Sequence, residues 1–238
     1  MLIKEKIKKI PFIKEFLESL NDSFIRHKFV KEEITKIKQG ENILDAGCGS
    51  QYYKKHCSHL HYKSQDFGEY SVDQKKGFAF QAGVYKYGKL DYIGNIWQIQ
   101  VEDKSFDNII CTEVFEHIPY PIQTVKEFSR IIKSGGKLIL TAPSNSLRHM
   151  DPYYVYAGFS DRWFEKILHD FDFEIIKIEP VGDYFSWLKI EMYRTMRNHS
   201  LFSKLLLLPA FLFLCFKKKT DVSINTLCMG YHVIAKKK

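Results

Sequence analysis

Hydrophobic positions change their spacing near residue 40 of this 238-residue chain. Before that point, residues 1–38 carry apolar side chains at helical spacing, namely Ile3, Ile7, Ile10, Ile13, Phe16, Leu17 and Leu20. Pro11 is expected to divide this stretch into two helices, because proline has no backbone N–H to donate. The pattern predicts an N-terminal helical cap over residues 1–40, either a lid packed on the main domain or a basic amphipathic face at a membrane or over substrate.

From residue 42 onward, short apolar runs alternate with longer helical stretches. Strands are predicted at residues 42–48, 61–67, 90–93, 106–112, 137–141, 173–179 and 231–235. The clearest helices are predicted at residues 121–132 and 161–169. This alternation predicts an α/β fold, a Rossmann-like seven-stranded and mostly parallel sheet with helices on both faces. We assign residues 41–238 to this domain, with a hydrophobic insertion at about residues 190–220, before the last strand.

The insertion contains twelve consecutive uncharged residues, 205–216, with lysines on both sides. A membrane-spanning helix needs about 20 apolar residues, so this run is too short. Pro209 is also expected to break or kink a helix here. Three interpretations stay open: peripheral contact of residues 201–219 with an anionic membrane interface, a homodimer contact, or packing on the chain's own domain.

The formal net charge of +8 favours anionic partners such as nucleic acid, acidic lipid headgroups or phosphorylated substrates. Ordinary surface lysine explains the same charge equally well. Five cysteines at wide spacings, without a CxxC pair, indicate reduced thiols rather than a disulfide framework. Lysines interrupt the apolar N-terminal positions, so a signal peptide is not expected. We therefore expect a cytoplasmic protein, peripheral on the inner face of the membrane under the first interpretation of the insertion.

A metal requirement is not expected. One group of residues looks like a metal site, but its spacing matches no common zinc pattern: His56, Cys57, His59 and His61. Carboxylates at a spacing typical of metal ligands do not stand out either.

The strongest local motif is the segment ILDAGCGS, residues 43–50. A buried strand ends at Asp45, and Gly47 and Gly49 follow; glycine lets the backbone approach a ligand closely at positive φ. Ligands of doubly wound sheets bind at the carboxyl ends of strands. No third glycine follows to suit a pyrophosphate. Asp66 ends the second strand, where an acid can accept hydrogen bonds from ribose hydroxyls.

Four segments together resemble the methyltransferase domain of the class I family that depends on S-adenosylmethionine (SAM). They lie in order between about Asn42 and Glu179: LDAGCGS, YKSQDF, VEDKSFDNIICTEVFEHIPYP and EFSRIIKSGGKLILTAPS. Within this family, the four segments resemble the type 11-like group found with bacterial surface-polysaccharide enzymes. The resemblance implies SAM as the cofactor and methyl transfer as the reaction.

The resemblance also implies roles for residues of this chain. It assigns SAM contacts to Asp45, Gly47, Gly49, Asp66, Phe67, Asn95, Ile96, Thr112 and Glu113. Asn95 departs from the acidic residue usual beside the adenine, although its amide oxygen accepts one hydrogen bond. His117, in the family's EHI element, is either catalytic or a structural helix cap. Ser134 replaces a usual proline, and the turn at Gly135 is still expected to form.

The long loop of residues 144–160 is the predicted acceptor site. An oxygen acceptor needs a general base within hydrogen-bond reach. We predict His149 as this base and Asp151 as the residue that orients it. Substrate contacts are assigned to Tyr153, Tyr154 and Tyr156. The alternative is that these tyrosines only pack and His149 is exposed. The sequence DPYY matches a base-flipping motif, but in those enzymes it follows the fourth strand, so we treat the match as coincidental.

The sequence therefore predicts SAM-dependent methyl transfer to a small-molecule or glycan-type acceptor, with a lipid-linked acceptor as one hypothesis. An RNA or protein methyltransferase is the alternative enzyme. A nucleic-acid partner is not expected, because the chain has no obvious appended binding domain or patch of basic and aromatic residues. A SAM-binding scaffold without activity is the alternative from another class.

Overall fold

The computed structural model describes residues 22–70, 87–197 and 199–238. Contacts divide the chain into two compact units. The larger unit is Val30–Glu179 with Gly230–Lys238, and the other contains Pro180–Met229 together with the described residues before Val30. Most of the predicted cap at residues 1–40, including the helix break at Pro11, lies outside the described residues. The division into a cap and a domain at residue 40 stays a prediction.

A sheet of seven strands dominates the described part of the chain. The strands are β1 (Asn42–Ala46), β2 (His61–Asp66), β3 (Tyr92–Ile93), β4 (Phe106–Thr112), β5 (Ile132–Pro143), β6 (Phe173–Val181) and β7 (Gly230–Lys237). Their order is β3-β2-β1-β4-β5-β7-β6. The pairs among β1 to β5 are parallel, and β7 runs antiparallel to β5. The predicted Rossmann-like α/β class with a mostly parallel sheet is confirmed.

The register follows from the apolar runs that predict the strands. Leu44 of β1 pairs with Lys63 of β2 on one side and with Ile109 of β4 on the other. Strands covered on both faces read as continuous apolar runs, and Ile109, Ile110 and Cys111 are accordingly all fully buried. The core of the larger unit surrounds these central strands.

Strand β5 begins earlier than the apolar run at residues 137–141 predicts. It starts at Ile132 and includes Ser134, Gly135 and Gly136. Gly135 has a φ of +82°, a left-handed conformation that glycine adopts without steric cost. Residues 134–136 belong to the strand and do not form a separate turn. Ile132 pairs with Phe106 of β4, and the register shifts before the next pair, Asn108 with Lys137.

Three helices accompany the strands up to β6, namely α1 (Asp22–Thr35), α2 (Pro121–Ile131) and α3 (Asp161–Asp170). Proline suits the first turn of α2, where a backbone N–H would have no helical partner. Ser160 caps α3 by accepting a hydrogen bond from the Trp163 N–H. Short 3-10 turns occur at Lys54–His56 and Phe115–His117. The second turn directly follows β4 and carries residues of the candidate site.

The smaller unit contains three helices: α4 (Tyr184–Arg197), α5 (Leu201–Cys215) and α6 (Asp221–Thr226). The Asp183 carboxylate accepts hydrogen bonds from the Ser186 N–H at 2.9 Å and the Ser223 hydroxyl at 2.8 Å. These bonds join the start of α4 to α6. Among the described residues, no helix is both long and apolar enough to cross a membrane.

Helix α5 continues through Pro209, so this proline does not break the helix, and the alternative expectation of a kink stays a prediction. Proline removes one N–H donor from a helix interior. Residues on either side compensate for this loss: Ser200 caps the helix start, and Phe211 and Leu214 are buried beyond the proline. Burial of two large apolar side chains stabilises the helix by about 3 kcal/mol or more, which matches the usual cost of an interior proline.

Candidate active site at the carboxyl ends of β1, β2 and β4

A cavity of about 430 Å³ opens where β1, β2 and β4 end. In the sheet, β1 lies between β2 and β4, so the strand order changes direction at β1 and the cavity lies at this point. Open parallel sheets bind ligands at such a position. Of the described residues predicted to contact SAM, seven line this cavity: Gly47, Gly49, Asp66, Phe67, Asn95, Ile96 and Glu113. Asp45 and Thr112 are not among the lining residues.

The loop after β1 requires glycine at position 47. Gly47 has a φ of +71°, and a Cβ there would lie 2.4 Å from Cγ2 of Val114. Its N–H donates a hydrogen bond to the Gln65 carbonyl at 2.9 Å. Glycine therefore allows the loop to pass close to the segment after β4 and to hold its position beside the end of β2.

Asp66 is buried at the end of β2, and its carboxylate accepts hydrogen bonds from two backbone N–H groups. Oδ2 accepts a hydrogen bond from the Gly49 N–H at 2.8 Å, and Oδ1 accepts one from the Gly68 N–H at 3.1 Å. An ionised carboxylate has about four lone-pair positions. Each oxygen of Asp66 can therefore still accept a hydrogen bond from a ribose hydroxyl in the cavity.

Asp45 supports the loop from behind the cavity wall. Its side chain is 2% exposed and accepts a hydrogen bond from the Tyr62 hydroxyl at 2.8 Å. Burial raises the pKa of the Asp45 carboxyl to about 7, while the Tyr62 hydrogen bond opposes this rise. The geometry gives Asp45 a contact with Tyr62 rather than a place on the cavity surface.

Glu113 lies at the start of the segment after β4, in a left-handed conformation with a φ of +50°. This conformation is costly for a residue with a side chain. Two hydrogen bonds with Thr141 of β5 stabilise this conformation. The Glu113 N–H donates to the Thr141 carbonyl at 3.0 Å, and the Thr141 hydroxyl donates to Glu113 Oε1 at 2.8 Å. The adjacent strand thus fixes a carboxylate at the cavity edge.

The wall predicted to meet the adenine is largely aromatic and apolar. Phe67, Asn95, Ile96 and Trp97 line it. The Phe67 ring packs edge-on against Tyr153, with ring centroids 5.1 Å apart. Such a wall suits a flat heteroaromatic base.

Only one of the three tyrosines predicted to contact the acceptor lines the cavity. This residue is Tyr153. The Tyr154 hydroxyl donates instead to the Ser146 carbonyl at 2.6 Å, and the Tyr156 hydroxyl donates to the Pro119 carbonyl at 3.3 Å. Tyr156 borders a second, separate depression beside α2. Substrate contacts of Tyr154 and Tyr156 stay predictions.

The structure does not bring the predicted base and its predicted orienting residue together. The Asp151 carboxylate accepts from Arg148 Nε at 3.1 Å and also contacts the Arg148 Nη2 group. His149 Nδ1 lies 2.8 Å from the Leu147 carbonyl, and the His149 ring packs against His117 with centroids 4.8 Å apart. Neither predicted catalytic residue lines the cavity, although Met150 and Pro152 beside them do.

His117 lies on the cavity wall, and the sequence left its role open. Its Nδ1 lies 2.9 Å from the Tyr153 carbonyl. Burial lowers the pKa of His117 to about 4, assisted by the neighbouring His149. The imidazole is therefore neutral near pH 7. The EHI element after β4 is the sequence feature that points to it.

Several cavity residues were missed by sequence reasoning. Four of them are direct neighbours of predicted residues and lie at the same strand ends: Gln65, Gly94, Trp97 and Val114. Proximity along the chain could have identified them. Met150, Pro152 and Val155 come from the long loop, where no periodic pattern indicates which side chains face inward.

Comparison with known proteins agrees with this geometry. Residues 44–140 match the family described as "Methyltransferase domain". This match confirms the prediction of a SAM-dependent methyltransferase for this part of the chain, with SAM as its cofactor. The resemblance to polysaccharide-cluster enzymes in particular stays a prediction.

Two sequence relatives and one solved structure illustrate the similarity. A ubiquinone biosynthesis O-methyltransferase of Coxiella burnetii is 28% identical over 152 residues, which cover 62% of this chain and 62% of that protein. A tRNA U34 carboxymethyltransferase of Nautilia profundicola is 30% identical over 151 residues, covering 58% and 50%. The chain thus spans less than two thirds of the length of these relatives.

The phosphoethanolamine N-methyltransferase 2 of Haemonchus contortus, solved in complex with SAM, superposes with a TM-score of 0.52. Its identity is 17%, and the match covers 87% of this chain and 52% of that one. A likeness at this identity concerns the fold alone.

Proposed function

We propose that the protein transfers the methyl group of SAM to a small-molecule or glycan-type acceptor. The observation that carries this proposal is the cavity lined by the Gly47 and Gly49 loop, the Asp66 carboxylate and an aromatic wall. The sulfonium of SAM is already a strong methyl donor. The task left to the protein is to align the acceptor with the methyl group and to exclude water.

A hydroxyl is the acceptor group that the site favours. An oxygen acceptor must lose its proton, and a polar group within hydrogen-bond reach has to assist. His117 lines the cavity and His149 packs against it, so the two imidazoles are the groups available for this step. Tyr153, on the same wall, would contact the acceptor. The similarity to a ubiquinone biosynthesis O-methyltransferase supports transfer to oxygen.

An RNA acceptor is the second candidate. The relative named as a tRNA carboxymethyltransferase and the formal net charge of +8 favour it. A scaffold that binds SAM without transferring its methyl group is the third.

A transfer assay separates these functions. Purified protein is incubated with methyl-labelled SAM and either hydroxylated small molecules, sugar nucleotides and lipid-linked sugars, or bulk tRNA. We expect label in a compound of the first group. Label only in tRNA would contradict the proposal and favour the RNA function. SAM binding without label in any acceptor would favour the scaffold.

We further propose that the protein works in the cytoplasm, at the inner membrane surface, on a lipid-linked acceptor. Helix α5 exposes seven large apolar side chains, and Phe216 directly after the helix is also exposed. The seven are Leu201, Phe202, Leu205, Leu206, Leu208, Leu212 and Phe213. Lys217 Nζ lies 4.4 Å from the centre of the Phe213 ring, and two more lysines follow at positions 218 and 219. Apolar side chains beside clustered lysines suit the interface of an anionic bilayer.

Vesicle sedimentation tests this surface. Wild type should bind phosphatidylglycerol vesicles more strongly than phosphatidylcholine vesicles, because the lysines add electrostatic attraction. The double variant Leu206→Lys, Phe213→Lys should lose this binding. Equal binding of both proteins would contradict membrane contact. A concentration-dependent dimer that the same variant abolishes would instead assign the surface to a homodimer.

A further inference from the structure

Three side chains able to supply metal ligands lie together beside the cavity. They are Glu116 and His117, from the 3-10 turn after β4, and His149, from the loop after β5. One donor atom from each lies within 4.8 Å of the others. Within residues 22–70, 87–197 and 199–238, no other group of His, Cys, Asp and Glu meets this condition. The His56 to His61 segment, which resembled a metal site in the sequence, is therefore not such a group.

Each imidazole of the cluster has its Nδ1 beside a backbone carbonyl oxygen. Nδ1 of His117 lies 2.9 Å from the Tyr153 carbonyl, and Nδ1 of His149 lies 2.8 Å from the Leu147 carbonyl. Because a carbonyl oxygen only accepts hydrogen bonds, each Nδ1 must carry the proton. Each Nε2 then keeps a lone pair. Metal-ligating histidines usually have this arrangement, in which the second nitrogen donates to a fixed oxygen.

The separation of two of the three ligand atoms fits a small cation. His117 Nε2 and Glu116 Oε1 are 3.6 Å apart, which is too long for a hydrogen bond between them. Two ligands that each lie about 2.1 Å from one zinc ion are separated by roughly 3 to 4 Å. The observed separation therefore leaves room for an ion between the imidazole and the carboxylate.

Backbone hydrogen bonds hold the two ligand-bearing segments together. The N–H groups of Val155 and Tyr156 both donate to the Glu116 carbonyl, at 2.9 and 3.1 Å. The loop that carries His149 is thus attached to the turn that carries Glu116 and His117. A site whose ligands are positioned before the ion arrives loses less conformational entropy on binding.

We propose that Glu116, His117 and His149 bind a divalent first-row transition-metal cation, with Zn²⁺ as the representative ion. Two imidazole nitrogens and one carboxylate oxygen form a ligand set that suits such ions. Three protein ligands leave a coordination position open, as catalytic zinc sites do. His117 lines the cavity, so a bound ion would lie beside the space assigned to the acceptor. This proposal replaces the expectation that the protein needs no metal.

The role of the ion rests on the proposed methyl transfer. An acceptor hydroxyl oxygen that reached the bound ion would lose its proton to solvent more readily, because a cation stabilises the alkoxide. The two imidazoles would then assist the step as metal ligands and not as proton acceptors. The oxygen lone pair then forms the bond to the methyl carbon, and the carbon–sulfur pair stays on sulfur. The products are the methyl ether and S-adenosylhomocysteine.

Metal binding is measured directly, without an acceptor. Protein stripped with a chelator is titrated with Zn²⁺ by calorimetry, and metal content is determined by mass spectrometry. The variants are His149→Ala and Glu116→Gln, with His169→Ala as control, since His169 is exposed on α3. Circular dichroism verifies that each variant folds. Wild type and control should bind one equivalent, and each site variant should bind at least about tenfold more weakly, about 1.4 kcal/mol.

Two results would overturn the proposal: no Zn²⁺ binding by folded wild type, or equal affinities of wild type and His149→Ala. SAM binding by the stripped protein, measured in parallel, separates this failure from failure of the proposed function. Retained SAM binding without Zn²⁺ binding removes the metal site alone. Zn²⁺ binding without SAM binding keeps the metal site and removes the methyl-transfer role.

Discussion

The Gly49 N–H donates a 2.8 Å hydrogen bond to the Asp66 carboxylate and so joins the loop after β1 to the end of β2. The two motifs that the sequence places 17 residues apart therefore form one unit. The acid that would bind ribose is positioned by the loop that would approach the rest of the cofactor. Changes in either motif should consequently weaken binding of the same ligand.

Gly47→Ala should weaken SAM binding by at least about tenfold. The new methyl group would lie 2.4 Å from Val114, and the residue would have to keep a φ of +71°. The loop must therefore shift away from its place in the cavity. Calorimetry with SAM measures the effect.

Gly40→Ala is the matched control for this substitution. Gly40 also has a positive φ, +83°, but a Cβ there meets nothing within 4 Å, and Gly40 is not a cavity residue. The control shares the backbone strain without the collision. SAM affinity equal to wild type in Gly47→Ala, or an equal loss in both variants, would argue against the close approach to Val114.

Stability should fall as pH rises from about 4 to about 7, because of Asp45. Burial raises the pKa of its carboxyl to about 7 in the folded protein, whereas the value in an unfolded chain is about 3.9. Between these values the folded state holds a proton that the unfolded state has lost. The free energy of unfolding then decreases with pH, by at most about 1.4 kcal/mol per pH unit from this group.

Urea unfolding of Asp45→Asn across this pH range tests the assignment. The amide does not titrate, so the contribution of this group should vanish and the profile should become flatter than that of wild type. Tyr62→Phe should act in the opposite direction. It removes the hydrogen bond that lowers the pKa of Asp45, and so extends the loss of stability to higher pH. Parallel profiles for wild type and Asp45→Asn would refute the raised pKa.

Thr141→Val should weaken SAM binding severalfold while keeping the shape of the side chain. It removes the hydroxyl that donates to Glu113 Oε1, a hydrogen bond worth about 1 kcal/mol. Thr124→Val is the control, because the Thr124 hydroxyl is also buried but donates to the carbonyl of Tyr120, the residue before α2. If both variants keep wild-type affinity for SAM, the Thr141 contact does not position Glu113 for the cofactor.

The central sheet could be predicted because its strands are buried on both faces. The segment 106–112 contains the buried apolar run Ile109, Ile110 and Cys111, and β4 occupies the predicted range. The ends of the strands were predicted less accurately: β3 covers only Tyr92–Ile93, and β5 begins already at Ile132. In segments with glycine or with short polar runs, tertiary contacts decide which backbone groups form hydrogen bonds between strands. The spacing of apolar residues does not indicate these contacts.

The cofactor side of the site was predictable and the acceptor side was not. Gly47, Gly49 and Asp66 directly follow or end predicted strands, so the sheet dictates where they lie. His149 and Asp151 belong to a long loop, whose conformation depends on individual contacts such as the Asp151 to Arg148 ion pair. Sequence spacing suggested a pair of these two residues, whereas the backbone turns His149 toward His117.

Calorimetric titration with SAM and with S-adenosylhomocysteine tests the central claim most directly. The proteins are wild type, Asp66→Ala and the control Asp170→Ala, which removes an exposed carboxylate from α3. We predict micromolar binding by wild type and control, and at least about tenfold weaker binding by Asp66→Ala, a loss of about 1.4 kcal/mol. Absence of binding by folded wild type, or equal affinities of all three proteins, would contradict the assignment of this cavity to SAM.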